Sequence, residues 1–83
     1  MADVILSERA RRDLLRLARR YLGPVEAAID RLGEDPLAGK ILHGDLEGLR
    51  SLRIGSYRVV YLFDQRLKKV EIVWIQHRKE AYR

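Results

Sequence analysis

The stretch Leu52-Arg53-Ile54-Gly55-Ser56-Tyr57-Arg58-Val59-Val60-Tyr61-Leu62-Phe63 decides the fold. It reads as two strands flanking Gly55-Ser56, a two-residue loop whose leading glycine suits a type II′ hairpin turn. A loop of that length sets the register by counting: Ile54 opposes Tyr57, Arg53 opposes Arg58, and Ser51 opposes Val60. Alternation then defines two faces. Leu52, Ile54, Tyr57, Val59, Tyr61 and Phe63 share the face expected to form the core, while Ser51, Arg53, Arg58, Val60 and Leu62 share the other.

Toward the C-terminus, a second hairpin through Gln65 to Lys68 returns Val70 to Gln76 as a third antiparallel strand. Its simplest register adds Ile72 and Trp74 to the core face and Val73 and Ile75 to the other. Toward the N-terminus, Leu37 to Asp45 reads as loop, and Pro36 disfavours helix at Asp35, which ends a helix near Gly33 to Asp35. Val25, Ala28, Ile29 and Leu32 are the apolar stripe of that helix. An earlier stripe, Ala10, Leu14, Leu17, Ala18 and Tyr21, marks a first helix with Ser7 as N-cap and Arg9, Arg12, Arg16, Arg19 and Arg20 mostly off the stripe. Gly23-Pro24 is the expected joint between the two helices, with glycine as C-cap and proline opening the second. Val4-Ile5-Leu6 suits a short strand. The expected architecture is α+β: an N-terminal strand, an antiparallel helical hairpin, then a three-stranded antiparallel meander with both helices on one sheet face, in a single domain spanning 1–83.

With both helices on one face, Val60 and Leu62 are expected to stay uncovered on the other, a patch that invites a protein partner. A chain of 83 residues also buries a modest share of its surface, so a covering partner adds stability. The absence of cysteine removes disulfides, thiolate catalysis and cysteine-ligated zinc, and suits a reducing cytoplasm. Val4-Ile5-Leu6 is too short for a signal peptide or membrane span, so a soluble cytoplasmic protein without a membrane partner is expected. The net charge of +5 is unevenly placed: residues 1–47 hold 8 Lys/Arg against 9 Asp/Glu, and residues 48–83 hold 9 against 3. Clustered in the second half, that charge points to a polyanion, nucleic acid first and an acidic protein second.

Arg53 and Arg58, directly opposite on one face, repel each other, and an anion between them relieves that cost. Their planar donor forks match phosphate oxygens, so the pair reads as a phosphodiester clamp or, equally, as two arginines splayed into solvent. The terminal His77-Arg78-Lys79-Glu80-Ala81-Tyr82-Arg83 supplies more cations, and a phenol among cations ionises more easily and suits acid–base work. Other chemistry is less favoured. His43 lies in a loop, which disfavours pairing with His77, and the basic half has few carboxylates for a metal, Asp64, Glu71 and Glu80. The arginines of the first helix suit either RNA or a solvated face.

The run Leu52 to Tyr61, followed after a strand by His77-Arg78 and then Tyr82, resembles the C-terminal half of RelE-type toxins of the RelE/ParE superfamily, and the element order is similar as well. The resemblance implies the toxin of a type II toxin–antitoxin pair: a ribosome-dependent endoribonuclease that cuts mRNA in the A site by 2′-OH attack, with no metal and no cofactor. It implies phosphate stabilisation by Arg53, Arg58 and Arg78, with Tyr82 as the terminal tyrosine. Arg50, Ser51, His77, Lys79 and Arg83 are the accompanying candidates for RNA and phosphate binding, Arg50 being expected on the opposite face. Ser51 departs from the pattern, since some relatives carry a basic residue there, which leaves the general base open. The partners implied are the ribosome, mRNA and a cognate antitoxin in a hetero-oligomeric complex. The alternatives are a ParE-like inhibitor of DNA gyrase and a catalytically inactive antitoxin-binding or RNA-binding module.

Overall fold

A computed structural model describes residues 1–81. Its elements, in chain order, are β1 (Asp3–Leu6), α1 (Glu8–Arg16), α2 (Arg19–Glu34), β2 (Lys40–Ile41), a 3-10 turn (Gly44–Leu46), β3 (Arg50–Ile54), β4 (Tyr57–Asp64), β5 (Lys69–His77) and α3 (Arg78–Ala81). The strands form one sheet in the order β1-β5-β4-β3-β2, in which β1 runs parallel to β5 and the other pairs are antiparallel. The α+β class and the meander are as expected, with a fifth, two-residue strand within the segment read as loop. Among the described residues no helix is long and apolar enough to cross a membrane.

The Gly55-Ser56 hairpin has the counted register, Ile54 with Tyr57, Arg53 with Arg58 and Ser51 with Val60. Gly55 takes φ +57 while Ser56 does not turn positive, the sign pattern of a type II′ turn. A side chain there would also meet Tyr21, whose ring carbon stands 2.9 Å from the position of a Cβ.

The helical joint falls elsewhere than expected. α1 stops at Arg16, the extended residues Leu17 (ψ 141) and Ala18 (ψ 139) turn the chain, and α2 runs straight through Gly23 and Pro24. Pro24, the sixth residue of α2, forgoes one backbone bond to the Arg20 carbonyl, and Gly23 before it has no Cβ for the proline ring to strike. The stripe misled because Leu14, Leu17 and Tyr21 do pack on the core across the break, while Ala18 at the turn is exposed.

The second correction is a bulge. Val60 pairs with Trp74 and Tyr61 with Ile72, which leaves Val73 as an extra residue in β5. The parity of β5 therefore flips: Ile75, not Trp74, joins Ile72 in the core, and Trp74 lies beside Val60. Ser7 ties this point down, since its hydroxyl accepts from the Ala10 N–H at 3.0 Å as an N-cap and donates to the Val73 carbonyl at 2.6 Å. Beyond the end of β1, the α1 carboxylate of Asp13 accepts the Ile75 N–H at 2.9 Å and so closes the edge of β5.

The core joins Ala10, Val25, Ile29, Leu32, Val59, Tyr61, Val70, Ile72 and Ile75. Val60 is a third correction: it is 1% exposed, so Leu62, at 40%, is the uncovered member of the expected patch.

Tyr61 anchors the loop after α2. Its hydroxyl donates to the Pro36 carbonyl at 2.7 Å and accepts the buried Gly39 N–H at 2.8 Å. Burial pushes this phenol above its ordinary 10.0, with the Gly39 bond and the Arg50 charge pulling it back. Tyr61→Phe, which leaves both loop groups without their partner, is expected to cost about 1–3 kcal/mol in urea unfolding at neutral pH. Since the folded pKa is raised, the wild-type advantage persists up to the ordinary tyrosine range and is lost as pH rises through the folded value. An unchanged midpoint in Tyr61→Phe would show that the phenol anchors nothing.

Candidate phosphate-binding site

Parity decides which side chains meet on the face away from the helices. Arg53 and Arg58 are register partners there, and in the adjoining row Lys40 of β2 lies opposite Ser51, with Val60 and Trp74 beyond. Lys40, Ser51, Arg53 and Arg58 line one groove of about 450 Å³, together with Ala38, Leu42 and Leu52. No carboxylate is among its described lining residues, and among the described residues neither Arg53 nor Arg58 makes an ion pair. Such a groove concentrates positive potential on a concave, half-enclosed surface, and an anion bridging the arginine pair removes the repulsion that pairing imposes.

Two expected contributors lie elsewhere. Arg50 pairs with Tyr61 on the helix-covered face, where its guanidinium donates to the Gly39 carbonyl at 3.0 Å, so it braces the loop. His77 pairs with Tyr57 on that face as well, its ring edge-on to Tyr57 at 5.1 Å and its Nδ1 accepting the Lys79 N–H at 3.1 Å. His43 precedes the 3-10 turn beyond β2, with β3 and β4 between that strand and β5, so the two histidines do not converge.

Arg78 does reach the clamp end of the sheet. Its N–H donates to the Ser56 carbonyl at 2.6 Å, holding the start of α3 against the hairpin turn that leads into Arg58. Lys79 follows, exposed. Tyr82 and Arg83 lie outside the described residues. No group of three His, Cys, Asp or Glu among the described residues is placed to hold a metal ion.

Lys40 is the residue that the sequence did not single out. A two-residue strand offers no periodicity to detect, and its pairing with β3 depends on how the preceding loop docks. A second basic groove, of about 680 Å³, runs between α1 and the end of β5, lined by Arg9, Arg12, Arg16 and His77. Asp13, a carboxylate in that lining, is engaged by the Ile75 N–H and by Arg9 at 3.9 Å. The guanidinium of Arg9 also lies 5.1 Å over the Trp74 ring, whose buried Nε1 has no acceptor among the described residues.

Comparison with known proteins places these features in context. A sequence model of the family described as "ParE toxin of type II toxin-antitoxin system, parDE" matches residues 4–82. Toxin RelE of Mycobacterium tuberculosis is 43% identical over 82 residues, covering 96% of this chain and 84% of that protein. Toxin RelG of the same organism is 42% identical over 76 residues, covering 89% and 87%. A chain in the crystal structure of the M. tuberculosis RelBE2 toxin–antitoxin complex superposes with a TM-score of 0.86 at 37% identity, covering 93% of this chain and 98% of that one.

The repulsion across the Arg53–Arg58 pair is open to measurement. Arg53→Ala is expected to raise stability in low salt by about 0.2–1 kcal/mol, with the gain shrinking in high salt or in the presence of sulfate. A loss of stability on urea unfolding in low salt would mean that the pair is not in conflict.

Proposed function

The chain belongs to the RelE/ParE superfamily as the toxin of a RelE-like type II toxin–antitoxin system, and on that premise we propose that it is a ribosome-dependent, metal-independent endoribonuclease that cuts mRNA. The observation that carries the reading is the arginine pair on an exposed sheet face, set in a basic groove with no carboxylate among its described lining residues.

In the proposed reaction the ribose 2′-oxygen attacks the adjacent phosphorus and the P–O5′ bond breaks, giving a 2′,3′-cyclic phosphate and a 5′-hydroxyl. One proton leaves the 2′-OH and one is delivered to the departing 5′-oxygen. Charge accumulates on the non-bridging oxygens of the phosphorane, which is where fixed guanidinium donors lower the barrier most. Arg53 and Arg58 supply them from the sheet, and Arg78 supplies a third from the turn that its backbone grips. Tyr82, four residues beyond Arg78, is the proposed proton-transfer group.

Inhibition of DNA gyrase is the second reading, because the matching family model carries the ParE name. It has no use for a phosphate clamp on an exposed sheet face. Purified protein added to translating ribosomes and, in parallel, to a gyrase supercoiling reaction separates the two.

A cognate antitoxin is the proposed partner, as the related RelBE2 chain comes from a toxin–antitoxin complex. With Val60 buried, larger uncovered apolar surface lies at the α1–α2 joint: Leu15 is 87% exposed and Leu22 37%, in a groove of about 460 Å³ bordered by two cations, Arg11 and Arg19, and one carboxylate, Glu26. An apolar segment bordered by acidic residues suits it.

Arg58→Ala is expected to lower cleavage of a defined mRNA on ribosomes by a factor on the order of 10²–10³ with folding intact, and Tyr82→Phe to slow it. EDTA is expected to have no effect once ribosome integrity is controlled. Wild-type rates in a folded Arg58→Ala protein would remove the clamp from the mechanism. Co-expression with the product of the adjacent open reading frame is expected to raise the melting temperature and abolish cleavage, and Leu15→Asp to weaken that complex. A neighbour that neither binds nor neutralises the toxin would end the partner proposal.

A further inference from the structure

Lys40 comes to the arginine clamp from a different part of the chain, and several contacts hold it there. It lies directly opposite Ser51, one row from Arg53 and Arg58, and lines the same groove. β2 is only two residues long, yet the residue before it is fixed from three directions. The Gly39 N–H is held by the Tyr61 hydroxyl, the Gly39 carbonyl takes a hydrogen bond from Arg50, and the Tyr61 ring stands 2.6 Å from where a Cβ on Gly39 would sit. A buried phenol and a second arginine thus position the backbone one residue before a lysine whose side chain is exposed. An exposed lysine elsewhere on a loop has no such framework.

Three cations from three strands line one groove, and bringing them together costs repulsion that an anion offsets. From this placement we infer that Lys40 is a third phosphate-binding cation of the cleavage site, holding the RNA backbone on the β2 side while Arg53 and Arg58 hold it on the β4 side. The inference rests on the ribonuclease reading only for its catalytic consequence; the binding consequence stands separately. Ser51, facing Lys40 across the β2–β3 ladder, provides hydroxyl rather than charge, so the cation of this row is Lys40. Its ammonium is a point charge on a flexible stem and tolerates several phosphate positions, which suits a substrate gripped more rigidly by the arginine forks.

The test measures binding and cleavage side by side. The binding probe is a short single-stranded RNA with 2′-O-methyl sugars, which cannot be cut by 2′-OH attack, titrated over a range of salt concentrations. Lys40→Met is expected to reduce the slope of log affinity against log salt by about 0.7, the contribution of one phosphate contact on a single strand. On ribosomes it is expected to slow single-turnover cleavage on the order of tenfold to a hundredfold, with Lys40→Arg retaining most of the rate. Lys40→Ala/Ser51→Lys is expected to recover much of what Lys40→Ala loses, because the two positions face each other. An unchanged salt slope in Lys40→Met overturns the inference, as does a wild-type cleavage rate beside an inactive Arg58→Ala. If wild-type protein does not cut but the slope still falls in Lys40→Met, the ribonuclease reading fails and Lys40 stands as a phosphate ligand.

Discussion

The phenol of Tyr61 is the contact through which the core reaches the working face. Its ring is fully buried among Val59, Ile72 and the α2 residues of the core, while its hydroxyl ends against the backbone of Pro36 and Gly39. A buried hydroxyl that donates and accepts has both its capacities used, and the groups it satisfies would otherwise be loop backbone with nowhere to turn. The loop after α2 is therefore set by a strand residue more than twenty positions away, and from that docking follow β2, its pairing with β3 and one wall of the groove. Arg50 joins the same arrangement from below the sheet, which accounts for a basic residue in the middle of the motif that does not face the groove.

The bulge at Val73 has comparable reach. One inserted residue moves Ile75 inward, puts Trp74 beside Val60 and presents a carbonyl that the Ser7 hydroxyl takes. It also sets the phase of the end of β5, so that His77 lies with Tyr57 on the helix side while Gln76 pairs with Arg58. The first helix is thereby fitted to the strand it flanks. Ser7 addresses the bulge, Asp13 the next free donor and Arg9 the face of Trp74, at successive positions along one edge.

How much of this was legible in the sequence follows from what each feature depends on. The Gly55-Ser56 hairpin was readable because loop length and side-chain alternation are local, and the Arg53–Arg58 pair came with it. The helical joint was misplaced because Gly23-Pro24 carries strong local signals, whereas the break at Leu17-Ala18 leaves the apolar stripe almost intact. The sorting of Trp74 and Ile75 failed because a bulge cannot be counted from one strand alone; its signal, Ser7 meeting Val73, spans 66 positions. Lys40 was invisible for a similar reason, since its strand exists only through pairing with β3 and through the Tyr61 anchor. Local chemistry could be read off the chain, and long-range docking could not.

The parallel pairing of β1 with β5 bears on how the protein is made. Residues 3–6 have residues 69–72 as their sheet partners, and the contacts of Ser7 and Asp13 are to Val73 and Ile75. During synthesis, the first strand to emerge thus waits for the last, and closing that span is the slow, entropically costly step of assembling such a sheet. Arg58 loses its β5 neighbour Gln76, and the turn loses the Arg78 tether, in any chain whose translation stops short of that strand. A product that stops short of β5 already carries every described lining residue of the groove, from Ala38 to Arg58, but lacks the strand on which β1 and α1 close. Abortive synthesis of this protein therefore leaves a hairpin whose basic side chains are present on a sheet with an open edge.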